Sequence, residues 1–435
     1  MTRTRRLPMR PPHRSVLASS QYGRLVAEAD ALRRRGAYDE AVRAFHALTL
    51  QYPDRSETFS NLAGILQASG HPTLALQAAT RALELAPHSV PALRNSAEIL
   101  KDFGEWDVVL DTYDAALAID PASAELQFAR GLHLLMLGRW QEGWAAHEAR
   151  LAVPELNLGL RRFASPRWDG APLDGRHILL DGEQGLGDQV MFARFATQVA
   201  ARGGRVTLRC AAPLTTLLSA VPGVSAVIAT DAPVPAHDVH ASLMSLPCLL
   251  GVRSPADVSG TPWLTPVGAC PEPIAQALPV AAPRVGLVWS GNPQHRNDAR
   301  RSIRSELLAP LTAVAGVHWI ALQRHDAHTP LPEPLQGRLT DLGGMLHTMN
   351  DTAHALTRLD LLVTVDTAVA HLAGALGVRT LLLVPFVPDW RWMVDRPDTP
   401  WYDSVTLVRQ AALFEWSAPL DAVRQQVTML RGTSA

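Results

Sequence analysis

The chain has 435 residues, enough at roughly one to two hundred per domain for two to four compact units. Apolar residues make up 47% and charged residues 19%, which excludes wholesale disorder. A net charge of -1 excludes a global field that would draw in nucleic acid or an anionic membrane.

Of the 40 basic residues only Lys101 is a lysine. A P-loop needs Gly-Lys-Ser/Thr and a pyridoxal-phosphate enzyme needs a Schiff-base lysine, and Lys101 has neither setting. Any bound phosphate must be met by arginine, backbone N–H groups and helix ends. Cys210, Cys248 and Cys270 are odd in number and far apart, and read as buried thiols rather than a disulfide framework or zinc knuckle. No run approaches the roughly 18 to 20 apolar residues that cross a bilayer. Residues 1–14 lack the apolar core of a secretion signal, so the reading is cytoplasmic.

Residues 1–21 read as a basic flexible tail. Beyond it Gly36, Gly70, Gly104 and Gly138 recur at a step of 34 residues, followed two places later by Tyr38, Pro72, Trp106 and Trp140. Ala41, Ala75, Val109 and Gly143 keep the register, as do Phe45, Ala79, Tyr113 and His147, and then Pro53, Pro87 and Pro121. Apolar residues fall at three- and four-residue steps on either side of each glycine, which predicts helix, tight turn, helix, with the proline closing the second helix. The pattern resembles the tetratricopeptide repeat, whose helical pairs stack into a curved solenoid. Four units fit within 22–157; the fourth deviates, with Gly143 and His147 in place of the usual alanine and aromatic. The resemblance implies a concave face that holds a peptide or partner helix; a rigid spacer or dimerisation arm is the alternative.

Residues 158–176, broken by Pro166, Gly170, Pro172 and Gly175, read as a linker or docking segment. The apolar run at 177–181, the glycine turn at 184–188 and the helical spacing of 189–202 predict strand, turn, helix. Strands at 205–209, at 226–229 and near Val239, with a helix within 213–221, continue a first Rossmann-like unit over 177–268. A proline-rich interdomain linker, 269–283, leads to a second unit over 284–410. Its strands are predicted at 285–289, 318–322, 361–365 and 380–384, and its helices at 305–314 and 367–376. Two doubly wound sheets facing each other leave a cleft beyond their strand C-terminal ends. Residues 411–435 supply a final helix, with 420–430 packing back across that cleft.

Four segments carry candidate chemistry. Glu183-Gln184-Gly185-Leu186-Gly187-Asp188 follows the first strand of its unit, and its glycines permit close backbone approach but lack the third glycine of a dinucleotide fingerprint. Asp188 reads as a general base toward an acceptor hydroxyl or as a helix cap; spacing alone favours the cap. At Asp366, Thr367 and Ala368 a strand runs into a helix with small first residues, a place for a diphosphate or an ordinary cap; His371, a turn later, reads more readily as a structural histidine than as a catalyst. The loop 290–302 holds Ser290, Asn292, Arg300 and Arg301 at a strand C-terminus, where guanidinium groups suit a departing diphosphate; a solvated charged loop is the alternative. Trp390 and Trp392, with Trp401 and Tyr402, read as walls of a sugar or base pocket or as core. His237 and His240 have no evident third ligand, so no metal site is read.

Together the Gly-Leu-Gly-Asp turn, the Trp-Ser-Gly-Asn…Arg-Arg-Ser-Ile loop, the Asp-Thr-Ala-Val-Ala-His-Leu helix start and Pro-Asp-Trp-Arg-Trp resemble glycosyltransferase family 9, over roughly 177–410. That family contains the ADP-heptose:lipopolysaccharide heptosyltransferases, of GT-B fold. With repeats in front, the chain is similar to bacterial repeat–glycosyltransferase fusions, and its layout resembles that of the peptide O-GlcNAc transferases. The resemblance implies transfer from a nucleotide-diphospho-sugar to an acceptor hydroxyl of a protein or cell-surface glycan, without cofactor or bound metal. It implies Asp188 as base, phosphate contact at Asp366, Thr367 and Ala368 and a basic residue near Arg301; beside these, Ser290, Asn292, Arg300 and His371 are read on the donor side and Gln184, Gly185 and Gly187 on the acceptor side. The heptosyltransferases carry lysine at the place of Arg301, so the donor sugar stays open. The repeats would recruit the acceptor or a partner protein. The alternatives are a non-catalytic scaffold or nucleotide-sugar-binding protein, and an epimerase acting on the nucleotide sugar itself.

Overall fold

In the computed structural model, described over residues 14–156, 163–279, 283–294, 297–324 and 331–430, the chain divides into two compact units, Met1–Leu126 and Gln127–Ala435. The first is a series of antiparallel helices: α1 (Arg14–Arg34), α2 (Tyr38–Gln51), α3 (Ser56–Ala68), α4 (Pro72–Leu85), α5 (Val90–Leu100) and α6 (Trp106–Ile119). Part of the segment read as a tail is therefore helical, from Arg14; residues 1–13 lie outside the described residues. The repeated glycines turn the chain because each sits in the left-handed region, with φ of 76° at Gly36, 82° at Gly70 and 73° at Gly104, where a Cβ is disfavoured. Helix ends close behind them, as where His71 N donates to Leu66 O at 2.8 Å. Helices α2, α4 and α6 stop two residues short of Pro53, Pro87 and Pro121, since the residue ahead of proline is pushed out of the helical region. Ala41, Phe45, Ala63, Ala75 and Ala79 fill the space between successive helices.

The second unit begins inside α7 (Ala124–Met136) and continues through α8 (Trp140–His147). The fourth helical pair, which the sequence placed at the end of the repeat array, is thus built into this unit. The reason is aromatic packing: Trp140 stacks on Trp401 with centroids 4.9 Å apart, and Trp144 meets Trp390 edge-on at 5.3 Å and Phe192 at 6.0 Å. The pair is also unusually close. A Cβ on Gly131 would lie 2.9 Å from His147 N, and one on Gly143 would lie 2.8 Å from Leu135, so the bare backbone at Gly143 replaces the small side chains of Ala41, Ala75 and Val109.

Residues 163–176 dock rather than link: Trp168 and Leu173 are buried, and Trp168 N donates to His240 O at 2.8 Å. The first sheet is built from β1 (His177–Asp181), α9 (Leu186–Ala193), α10 (Ala196–Ala200), β2 (Arg205–Cys210), α11 (Thr215–Leu218), β3 (Val224–Ala229), β4 (Val239–Ser242) and α12 (Leu246–Leu249). Its strands are parallel in the order β3-β2-β1-β4. A helix, α13 (Glu272–Ala277), occupies the expected interdomain linker. The second sheet comprises β5 (Arg284–Val288), α14 (Asp298–Arg301), α15 (Ser305–Thr312), β6 (His318–Ala321), β7 (Thr340–Asp341), α16 (Met349–Leu356), β8 (Leu361–Val365), α17 (Ala368–Leu376), β9 (Thr380–Val384), β10 (Val405–Arg409) and α18 (Ser417–Met429). It is parallel in the order β10-β9-β8-β5-β6-β7.

Strands β1, β8 and β9 are buried at every position, as continuous apolar runs covered on both faces should be. The final helix departs from expectation. Leu420, Val423 and Val427 of α18 bury with Leu308 and Leu311 of α15 and Leu381 and Leu383 of β9, so its apolar stripe is spent on the second sheet instead of crossing the cleft. The fold class is the one the sequence implies: helical repeats followed by two Rossmann-like parallel sheets.

Candidate functional site

In the second sheet the strand order reverses between β5 and β8, and ligands of open α/β sheets sit in the crevice at such a switch point. The loop after β5 is folded onto itself. Ile303 N donates to Trp289 O at 2.8 Å, and Ser302 Oγ accepts from Gly291 N and donates to Asp298 Oδ2, both at 3.0 Å. Arg301 is thereby laid across Gly291, where a Cβ would lie 2.5 Å from Nη2. Its Nε pairs with Asp298 Oδ1 at 3.2 Å and its Nη1 donates to Asp366 O at 2.8 Å. The guanidinium therefore reaches the junction where β8 hands over to α17. Asp366, Thr367 and Ala368 are partly exposed there, and Thr367 Oγ1 is buried without a hydrogen-bond partner.

The glycine turn meets this corner from the first half. Gln184 takes a left-handed φ of 60° and Gly185 N donates to Asp188 Oδ2 at 2.9 Å, so Asp188 does cap α9. Gly187 presses on the start of α17: a Cβ there would lie 2.8 Å from His371 Cδ2 and 3.2 Å from Ala368 Cα. The other oxygen of Asp188 accepts from Arg391 Nη2. Arg391 in turn donates to Asp389 Oδ1 from Nη1 at 2.7 Å and from its backbone N at 3.0 Å, and it lies over the Trp390 ring at 4.3 Å. Its side chain is 9% exposed, and its Nε has no partner. Sequence reasoning quoted Arg391 but gave it no role. The available signal was an Asp and an Arg two places apart among tryptophans, just beyond a strand C-terminus.

The corner is electrostatically strained. Burial, then the neighbouring Asp389 carboxylate, pushes Asp366 up to about 6, against the pull of Arg301 and Arg391. Burial would raise Asp389 as well, but Arg391 holds it below the usual carboxylate range. Burial, then Arg391, lowers His371 to about 3, so it is neutral. His371 stacks on Trp392 at 5.0 Å, and its Nδ1 pairs with Tyr402 OH at 3.0 Å. It serves the core beneath α17, a correction to its expected place against the donor. Trp390 and Trp392, at 6% and 0% exposure, pack internally against Trp144 and His371. Asn292 is exposed and its Oδ1 accepts from Gln294 N at 3.0 Å, so a local turn uses it and the junction does not. Ser290 lies at the end of the loop, with its N donating to Gln323 Oε1 at 3.1 Å, and Arg300 is partly buried on α14.

At the first sheet's switch point, between β1 and β4, the crevice holds Arg150, which follows the fourth helical pair and is fully buried. Its Nη2 donates to Glu183 Oε1 at 2.6 Å and Ser245 Oγ at 2.9 Å, its Nε to Glu183 Oε2 at 3.2 Å and its Nη1 to Glu148 Oε1 at 2.7 Å. Burial raises Glu183, with Arg150 opposing. Glu183 opens the glycine turn, so Arg150 braces the segment that carries Asp188. Arg150 is a second functional residue that sequence reasoning missed; no periodic signal marks it. Among the described residues no group of three or more His, Cys, Asp or Glu is placed to hold a metal ion, and no helix is long and apolar enough to cross a membrane.

No family model matches the chain. Protein FlbA of Caulobacter vibrioides is 28% identical over 408 residues, covering 86% of this chain and 67% of that protein. The helical region is similar to a tetratricopeptide repeat protein from Parabacteroides merdae, at 23% identity and TM-score 0.27, over 31% of this chain and 54% of that one. A crystal structure of a family 9 glycosyl transferase from Veillonella parvula is similar at 12% identity and TM-score 0.46, over 61% of this chain and all of that one.

Proposed function

We propose that the chain is a glycosyltransferase that takes a sugar from a nucleotide-diphospho-sugar and places it on an acceptor hydroxyl of a protein or cell-surface glycan. The observation that carries this reading is the meeting of Arg301, the partly exposed start of α17 and the glycine turn at one switch point. A diphosphate fits there because the helix dipole, the backbone N–H groups and the guanidinium all favour negative charge. The acceptor oxygen attacks the anomeric carbon, the bond from that carbon to the diphosphate oxygen breaks, and the nucleoside diphosphate leaves with its bonding electrons. Asp188 takes the acceptor proton, and Arg301 with the 367–368 helix start meets the leaving charge. In this reading no metal ion is needed, and the repeats recruit the acceptor or a partner protein.

The engagement of both Asp188 oxygens favours a second reading, a nucleotide-sugar-binding protein without turnover. The full chain, supplied with ADP-, GDP-, UDP-, CDP- and dTDP-sugars and with protein and glycan acceptor fractions, separates the two. Acceptor-dependent release of nucleoside diphosphate, abolished by Asp188→Asn, supports transfer. Binding without release on any acceptor favours the second reading, and product formed without acceptor points to an epimerase.

A further inference from the structure

Charge counting at the corner raises a difficulty that the residues themselves resolve. Asp188, Asp366 and Asp389 gather around Arg391 and Arg301, and both guanidiniums are already engaged. Arg391 bonds Asp188 and Asp389, while Arg301 bonds Asp298 and the Asp366 carbonyl. A diphosphate diester adds two more negative charges, so it enters only if a guanidinium changes partner. Arg391 is the residue equipped to do so. Its side chain is nine-tenths buried, its Nε donor is unpartnered, and across the corner Thr367 Oγ1 is unpartnered too.

The choice of which carboxylate is given up follows from the local bonds. Asp389 Oδ1 also accepts from Arg391 N within the same short turn, so it travels with the arginine. Asp188 sits on the other half and keeps its Oδ2 bond to Gly185 N when Oδ1 is released. We propose that Arg391 is a diphosphate ligand that exchanges Asp188 for the phosphate oxygens of the donor, so that donor arrival frees the Asp188 carboxylate for the acceptor. The proposal rests on the diphosphate reading of this corner. It makes donor binding precede proton acceptance and keeps Asp188 occupied when no sugar is available to transfer.

The test is a binding cycle on the full chain, read by calorimetry with inorganic pyrophosphate and with ADP, GDP, UDP, CDP and dTDP. Asp188→Asn keeps a side-chain oxygen for Gly185 N and removes the competing charge. The exchange therefore predicts binding about tenfold tighter than wild type. Arg391→Gln should bind roughly 10- to 100-fold more weakly, and in that background Asp188→Asn should change affinity less than about threefold. Arg391→Lys, which keeps the buried charge should the glutamine variant not fold, should bind about tenfold more weakly because a point charge cannot fork. An Asp188→Asn variant that binds no tighter, or that tightens equally with and without Arg391, overturns the exchange and leaves the diphosphate reading standing. A wild-type chain that binds none of the six probes overturns both.

Discussion

Replacing Arg150 with methionine tests how the fourth helical pair is tied into the second unit. The Arg150 and Glu183 side chains are both 0% exposed, so the substitution leaves a buried carboxylate without its guanidinium, while Ser242 Oγ still donates to Glu183 and Ser245 Oγ to Glu148. Breaking a buried ion pair from one side costs about 3–5 kcal/mol. Adding Glu183→Leu removes the stranded charge and should return stability to within about 2 kcal/mol of wild type. The pH dependence has a definite sign. Burial already raises the Glu183 carboxyl and Arg150 opposes that rise, so without Arg150 it rises further. A carboxyl raised in the folded state adds a penalty that grows as pH climbs from the unfolded value to the folded one. The deficit of Arg150→Met should therefore shrink between pH 7 and pH 5. Scanning calorimetry of the full chain should show the transition of residues 127–435 lowered by roughly 2 °C per kcal/mol, with the repeat transition unmoved. A deficit under about 1 kcal/mol, a deficit that grows toward acid, or a shift of the repeat transition refutes the reasoning.

Two further outcomes follow from the same corner. Gly187→Ala drives a Cβ against His371 and Ala368 Cα, at 2.8 and 3.2 Å before relaxation. It should cost about 1–3 kcal/mol in urea unfolding and weaken pyrophosphate binding, whereas Gly185→Ala, whose Cβ would meet only the Asp188 carboxylate at 3.2 Å, should cost less. With Asp366 raised to about 6, the protonated form repels a diphosphate less, so nucleotide-sugar affinity should rise as pH falls from 7.5 to 5.5. Asp366→Asn should flatten that profile; a wild-type affinity that is flat or falls toward acid contradicts it.

The repeats were legible because one geometric demand recurs: a left-handed corner every turn writes a glycine at Gly36, Gly70, Gly104 and Gly138. The strands β8 and β9 were legible because they are buried on both faces, which leaves runs at 361–365 and 380–384 that are apolar but for Thr364 and Thr380. The weaker elements were not. Strand β10 reads Val-Thr-Leu-Val-Arg, with only Val405 and Leu407 fully buried, and nothing local separates it from a loop. The apolar stripe of α18 announces a helix without naming the surface it covers. At the site, Asp366, Thr367 and Arg301 could be placed because strand and helix periodicities locate their junctions. Arg391 and Arg150 could not, because their partners Asp188 and Glu183 lie 203 and 33 residues away, and such pairings are made by the fold.

The two sheets each reverse strand order once, and the arginines beside the two switch points are bonded differently. At the first, Nε, Nη1 and Nη2 of Arg150 all have acceptors within the chain, so that guanidinium is held by the chain itself. At the second, Arg391 Nε and Thr367 Oγ1 are buried and unpaired, a cost of about 1–3 kcal/mol for each group that a ligand could relieve. Arg150 also bears on the second corner. By clamping Glu183, Arg150 anchors the residue before Gln184, whose left-handed φ starts the turn that sets Gly187 against α17 and Asp188 against Arg391. The fourth helical pair therefore lies beside the support of this corner, while the three pairs before it form a unit of their own.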